Sequence, residues 1–406
     1  MAATHEDRAA QAGPAPLETP TLNIRNPVAP PLPTLRRRDL AALLAAGLLP
    51  LSGAAAEPGP ALRTLGAAKG LRVGNAIGMQ TFADARYRAV MLRECDTMVT
   101  ENECKWQIVA PTSAEMDFRD SDRLLAWGAQ AGLARRGHCL VWQPTKWLPK
   151  WVNEVDFGAQ PALTAERLLV ERIRRACRHY GDQIYSWDVV NEAVDPPSGE
   201  YRSNVFTQAM GAVDQLDLCF HLARENAPHA QLVYNDFMHW DAGSAKHRAG
   251  VLRLLTALKS RGTPVDALGL QSHISAPSAE APSSGAEQLE WRKFLDEVSA
   301  LGLQLLITEF DVNDRNLLAD IPSRDAGVAA AARDYLDLTF SYPNLGDFLF
   351  WGLIDADSWL QKWPGIARQD STEMRPAPYD DRYRPKALRD AVADAIRAMP
   401  PRAAHA

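Results

Sequence analysis

A chain of 406 residues, 46% apolar and 23% charged, has the composition of an ordinary globular protein and is long enough for one large domain or two average ones. Its formal net charge of −6 at pH 7 excludes a general affinity for nucleic acid or for an anionic membrane. The five cysteines, Cys95, Cys104, Cys139, Cys177 and Cys219, are odd in number and lack a CxxC pair, so they read as small buried thiols rather than a zinc site or disulfide scaffold.

Residues 1–35 are rich in Pro and Ala without a periodic apolar pattern, which predicts disorder. Arg36-Arg37-Arg38-Asp39-Leu40 then precedes an apolar run over 41–51, too short for a bilayer span of about 20 residues. With Ala54-Ala55-Ala56 behind it, this stretch reads as an export signal with a cleavage site, and Arg37-Arg38-Asp39-Leu40 resembles a twin-arginine signal. The expectation is a leader over 1–56 and an exported mature protein, residues 57–406, in the periplasm or outside the cell and with no membrane segment.

From residue 71 onward, β-rich runs alternate with amphipathic patterns. Strands are predicted over 71–78, 98–103, 134–142, 185–192, 231–237, 266–274, 303–311 and 347–355. Most are nearly continuous apolar runs, as parallel strands covered on both faces require. Phe206, Met210, Val213, Leu216 and Phe220 predict a helix over 205–226. Val251, Leu254, Leu255 and Leu258 predict another over 246–260, stopped by Gly262, and a last helix falls near 386–399. The low-complexity stretch 275–288 reads as a flexible rim loop after the sixth strand. Eight alternations in one domain predict an α/β fold, a single (β/α)8 TIM barrel. A doubly wound sheet would need only about six strands and usually a glycine-rich phosphate loop; neither GxGxxG nor GxxxxGK[ST] occurs.

Polar and aromatic residues fall where these strands end: Glu101-Asn102-Glu103, His138 and Trp142, Asn191-Glu192, Asn235-Asp236, Gln271 and His273, Glu309 and Asp311, Trp351 and Asp355. Any one of them reads as a satisfied structural group, but barrel chemistry sits at C-terminal strand ends, so the set predicts one lined pocket. Glu192 and Glu309 end apolar runs on the fourth and seventh strands, across the mouth from each other. Two carboxyl groups about 5–5.5 Å apart are the arrangement for double displacement at an anomeric carbon. One attacks as a carboxylate. The other protonates the leaving oxygen and later deprotonates water, which requires a pKa raised by its surroundings, the nucleophile's charge included. Eleven tryptophans suit stacking on flat sugar faces, although buried Trp is more often core.

At these residues the chain resembles glycoside hydrolase family 10, the endo-β-1,4-xylanase family, from residue 71 to the C-terminus. Thr100-Glu101-Asn102-Glu103-Cys104-Lys105-Trp106 resembles the second-strand motif, which implies that Glu101, Asn102 and Lys105 bind sugar hydroxyls beside the cleavage point. Gly137-His138-Cys139-Leu140-Val141-Trp142 resembles the third-strand motif, making His138 and Trp142 walls of the same subsite. Trp187-Asp188-Val189-Val190-Asn191-Glu192 matches the acid/base signature. It implies Glu192 as general acid/base and Asn191 as the partner of the sugar 2-hydroxyl. Leu270-Gln271-Ser272-His273-Ile274 and Ile307-Thr308-Glu309-Phe310-Asp311 resemble the sixth-strand and nucleophile motifs. They place Gln271 at the substrate, Glu309 as nucleophile, and His273 against Glu309, oriented by Asp311. Phe350-Trp351-Gly352 through Asp357-Ser358-Trp359 resembles the eighth-strand motif, with Trp351 and Trp359 over the sugar. The implied substrate is xylan, the implied mechanism retaining, with no cofactor and no metal. Trp351, Trp359 and Lys105 would crowd out the hydroxymethyl group of glucose. The chain departs from the family at Gln143-Pro144-Thr145, where a second His and then a Gln are usual, in a longer segment over 143–151, and at Phe237, where Tyr is common.

Two further readings keep different parts of this pattern. The same chemistry on another β-glycoside (a β-glucan, a xylo-oligosaccharide or a plant glycoside) retains both carboxylates. A non-catalytic glycan-binding barrel would be expected to lose one, and both are present. Metal-dependent hydrolysis lacks an HExxH or a Cys/His cluster. No nucleic-acid partner is expected, and a monomer is.

Overall fold

The computed structural model describes residues 59–277, 285–363 and 365–402. The leader expected over 1–56 and residues 278–284 of the expected rim loop lie outside the described residues. Nine strands form one all-parallel sheet: β1 (Arg72–Ile77), β2 (Thr97–Thr100), β3 (Ala134–Trp142), β4 (Ser186–Asn191), β5 (Gln231–Asp236), β6 (Ala267–Leu270), β7 (His273–Ser275), β8 (Gln304–Asn313) and β9 (Leu345–Phe350). Pairing of β6 with β8 and of β9 with β1 closes the sheet, and β6 and β7 are two pieces of one stave. The result is the predicted eight-staved barrel.

Eight helices wrap the staves in alternation: α1 (Ala85–Glu94), α2 (Arg119–Gln130), α3 (Pro161–Tyr180), α4 (Ala212–Asn226), α5 (Ala245–Ser260), α6 (Gly285–Ala300), α7 (Ile321–Thr339) and α8 (Ala387–Ala398). Their apolar faces bury against the outer strand faces, which explains why β2 and β4 are buried at every position and read as continuous apolar runs. Small separate clusters, Ala76 with Val99 and Leu349, and Val233 with Ala267 and Leu306, sit apart from that layer, as interior positions of a barrel do. All five cysteines are buried and free, in keeping with their reading as packing residues. Among the described residues no helix is long and apolar enough to cross a membrane.

Several predicted strands stop early, each for a local reason. β2 ends at Thr100 because the Glu103 carboxylate accepts the N–H groups of Met79 (2.7 Å) and Asn102 (3.1 Å), folding 101–103 back as a loop. β4 ends before Glu192, whose φ is 58°, a left-handed conformation that costs a non-glycine residue about 1–3 kcal/mol. The predicted strand over 266–274 breaks at Ser272, also left-handed at φ 61° and tied at 2.7 Å to the Tyr335 hydroxyl on α7. The helix predicted over 205–226 is two helices, Val205–Met210 and α4, parted by Gly211 at φ 88°.

Candidate active site

Glu309, near the mouth end of β8, is 5% exposed. Its carboxylate accepts from Asn235 Nδ2 at 2.7 Å and faces His273 Nε2 at 3.3 Å and His138 Nδ1 at 3.9 Å. Burial pushes its pKa up, but His138, His273 and Lys105 together outweigh burial and hold it at about 2. The carboxylate is therefore ionised and ready to attack.

His273 is itself held by Asp311. Its Nδ1 lies 3.0 Å from Asp311 Oδ2, and the Trp359 indole N–H donates to the same oxygen at 2.7 Å. Burial disfavours the imidazolium, yet Asp311 and Glu309 raise its pKa to about 10, so it keeps a positive charge beside the nucleophile. His138 is anchored in the same manner: its Nδ1 lies 3.0 Å from Asp188 Oδ2, and the fully buried Arg136 donates to the other Asp188 oxygen at 2.6 Å. Both histidines stand where the family motifs placed them.

Glu192 has the opposite environment. Its backbone N–H donates to the Asn235 carbonyl at 2.9 Å, and its carboxyl accepts from Gln271 Nε2 at 3.2 Å. Burial raises its pKa first and the charge of Asp236 second, while hydrogen bonds from Trp142 and Gln271 pull the other way. The charge of Glu309 also raises it but is the smallest of these influences, so Asp236 does more than the nucleophile to push the Glu192 pKa up.

An amide relay joins the two carboxyl groups. The Asn191 amide lies 2.9 Å from that of Asn235 and 3.2 Å from that of Gln271, with Gln271 on Glu192 and Asn235 on Glu309. Thr308 Oγ1 donates to Asn235 Oδ1 at 2.7 Å, which turns the Asn235 NH2 towards Glu309. Gly269 leaves the room: a Cβ there would lie 2.2 Å from Asn235 Oδ1. Asn235 and Asp236 were visible as a polar strand end, but nothing in their order along the chain assigns them these roles.

Both carboxyl groups line one cleft of about 730 Å³, together with Glu101, Asn102, Trp142, Gln271, His273, Asp311, Trp351 and Trp359. Lys105, His138 and Asn191 stand immediately behind that lining. Lys105 Nζ donates to Asn102 Oδ1 at 2.9 Å and sits 4.6 Å from the ring centroid of Trp142 and 5.8 Å from that of Trp351. Burial raises the pKa of Glu101, with Lys105 opposing. Three strand-end carboxylates expected in the pocket turn away from it: Glu103 into the backbone contacts above, Asp236 to His247 Nε2 at 3.1 Å, and Asp355 to Lys386 Nζ at 2.9 Å.

The segment 143–151 departs from expectation as the sequence warned. The Gln143 carboxamide accepts from Asn204 Nδ2 at 2.8 Å, while Pro144, Lys146 and Trp147 take the cleft side. Trp147 stacks on Trp142 with ring centroids 4.4 Å apart and planes 9° from parallel. It also approaches Trp363 at 6.2 Å, and Trp363 stands edge-on to Trp359 at 5.3 Å. Trp359, Trp363 and Glu101 border a second cavity of about 210 Å³ as well as the main cleft. Phe237 and His239, after β5, line the cleft too, and burial lowers the pKa of His239.

The sequence pattern of glycosyl hydrolase family 10 matches residues 61–395. Endo-1,4-beta-xylanase A of Cellvibrio japonicus is 30% identical over 330 residues, 73% of this chain and 51% of that protein. Endo-1,4-beta-xylanase 1 of Humicola insolens is 30% identical over 283 residues, 68% of this chain and 62% of that protein. The chain thus spans about half the length of the first relative. Among solved structures, native xylanase 10B of Thermotoga maritima superposes with a TM-score of 0.73 at 25% identity, over 83% of this chain and 98% of that one. Xylanase 10B of Thermotoga petrophila in complex with xylobiose gives 0.73 at 25%, over 84% and 98%.

Proposed function

The chain belongs to glycosyl hydrolase family 10, and from that premise we propose that it is a retaining endo-1,4-β-xylanase with Glu309 as nucleophile and Glu192 as general acid/base. The observation that carries the reading is that two glutamates in one cleft are pushed in opposite directions, Glu309 held down to about 2 and Glu192 raised. Glu309 attacks the anomeric carbon while Glu192 gives its proton to the departing glycosidic oxygen. The glycosyl ester cancels the charge of Glu309 and so removes one of the influences that raise the pKa of Glu192. Glu192, now a carboxylate, takes a proton from water as the water displaces the ester, and both groups return to their starting states. Glu101, Asn102, Lys105, Trp142, Trp351 and Trp359 hold the sugar, with Asn191 and Gln271 at the reacting ring. The xylanase names of the relatives and the xylobiose-bound neighbour support a β-1,4-linked xylose chain as substrate.

Proton NMR of the first product released from β-1,4-xylan tests this. The β-anomer appears first and then mutarotates; an α-anomer appearing first overturns the mechanism, and cleavage of β-glucans alone overturns the substrate. A second reading, the same chemistry on short xylo-oligosaccharides, is favoured by Trp359 and Trp363 parting the cleft from the smaller cavity. It is distinguished by a kcat/KM on xylotriose exceeding that on polymer. The reading also takes the protein as exported, on the basis of Arg37-Arg38 ahead of the apolar run, and as a monomer. Replacing both arginines by Lys blocks export, and sedimentation gives the mass of one chain.

A further inference from the structure

The rim of the cleft carries cations that the two-carboxylate chemistry does not use. Lys146 is exposed, and its Nζ lies 4.9 Å from the ring centroid of Trp147 and 5.2 Å from that of Trp363. Arg315, also exposed, donates from Nη1 to the Gly365 carbonyl at 3.3 Å. Both therefore approach the same stretch, Lys146 at Trp363 and Arg315 at Gly365, one from the loop after β3 and one from the loop after β8, and both line the cleft. Among the described residues, neither has a carboxylate within ion-pairing distance. Arg202, by contrast, reaches Asp195 at 3.6 Å and donates to the Glu192 carbonyl at 3.0 Å. Lys362 faces the charges of Glu101 and Asp357. Lys146 and Arg315 are thus two uncompensated positive charges on the rim of a protein whose net charge is −6.

The floor of the same cleft is occupied by the reaction's own charges. Glu101, Glu192, Glu309 and Asp311 line it, and Lys105 and His273 are already engaged with them, so an anionic sugar in the backbone of the substrate would meet carboxylates whose cations are spoken for. An anion is accepted only where the rim lies, which is where a substituent on a neutral chain would project. Resting on the xylanase reading above, we propose that Lys146 and Arg315 form a subsite for the carboxylate of a uronic-acid branch carried by a β-1,4-xylose backbone. Trp363 and Trp147 supply the apolar surface beside it on which the branch ring packs. Exposed ion pairs are individually weak and screened by salt, so the subsite acts as a preference between substrates and leaves the bond-breaking step to the carboxylate pair.

The test compares kcat/KM on three xylo-oligosaccharides of equal backbone length: linear, uronic-acid branched, and the same branch with its carboxyl reduced to an alcohol. The acidic branch is expected to exceed the reduced branch by about five- to tenfold at low ionic strength, the order that two exposed ion pairs supply. That ratio shrinks towards one in about 0.5 M NaCl, where charges farther apart than a few ångströms are screened. It also collapses in the double variant Lys146→Gln/Arg315→Gln. Each ratio is taken within one protein preparation, so a partly unfolded variant does not move it. A ratio near one in the unaltered protein, or an undiminished ratio in the double variant, overturns the subsite while the linear substrate shows the xylanase reading intact. If none of the three is cleaved, the xylanase reading falls and the subsite with it.

Discussion

Replacing His273 by Gln removes the cation that touches Glu309 but keeps a polar side chain of similar reach. The pKa of Glu309 lies at about 2 against an ordinary 4.5, a depression of about 2.5 units, or roughly 3 kcal/mol in favour of the ionised form at 1.36 kcal/mol per unit. His138, His273 and Lys105 share that work against burial. An opposite charge within about 4–6 Å is worth 1 to 3 units, so the loss of one of the three should raise the pKa by about one unit. The assay is kcat/KM against pH on an aryl xylobioside whose leaving group needs little protonation, so that the acid limb reports Glu309 alone. That limb should move up by about one pH unit. A limb that stays in place under a uniform fall in rate would refute the electrostatic role and leave His273 only a steric one. Stability provides an independent check. Glu309, with its pKa lowered, contributes fully above 4.5 and loses that contribution as pH falls towards 2; His273, raised from 6.5 to about 10, contributes fully below 6.5 and loses it as pH rises towards 10. The denaturation free-energy gap between the parent protein and the His273→Gln variant should therefore be widest between pH 4.5 and 6.5.

Asp236→Asn removes the charge that raises Glu192 most, so the alkaline limb of kcat/KM should move to lower pH; an unmoved limb would take Asp236 out of the account. Glu309→Ala should abolish turnover on every substrate. Glu192→Ala should slow poor leaving groups most, with azide restoring part of the rate on activated aryl glycosides; equal losses without rescue would remove Glu192 from the acid/base role. Arg172 on α3 is fully buried and donates to the carbonyls of Leu140 (3.0 Å), Cys104 (2.6 Å) and Cys139 (3.1 Å). Arg172→Met leaves three buried acceptors unpaired at about 1–3 kcal/mol each. Urea denaturation should show a loss of about 3 kcal/mol or more, and kcat/KM should fall as well, because Cys104 and Cys139 adjoin Lys105 and His138.

The barrel was legible because each stave is buried on both faces and so becomes an unmistakable apolar run. The stave ends were not. Side-chain type does not reveal that Glu192 and Ser272 adopt left-handed backbone, since their φ values are held by tertiary partners: the Asn235 carbonyl that receives the Glu192 N–H, and the Tyr335 hydroxyl on Ser272. Gly211 was a visible break inside a predicted helix, and periodicity alone carried the prediction across it. The loops after β3 and β9 were unreadable for a similar reason. Trp147 and Trp363 are two isolated aromatic residues until the barrel brings their loops within 6.2 Å.

The candidate carboxylates were legible because each ends its own strand within a contiguous motif; their chemistry was not, because no strand holds it alone. Glu192 and Glu309 are the same side chain, and both are buried. What separates them is which neighbours other staves deliver. Glu309 receives positive charge from β3 through His138, from the second-strand loop through Lys105, and from β7 through His273, the last fixed in place by Asp311. Glu192 receives none of that charge at comparable strength and has Asp236 on β5 instead. Exchanging these surroundings would exchange the roles, so what distinguishes nucleophile from acid is the order of staves around the mouth rather than the residue each stave carries. Asn235 sits at the seam of the two environments, its amide on Glu309 and its carbonyl on the Glu192 N–H. One residue of β5 thereby sets the position of both reacting groups, and a shift in its register would displace them together.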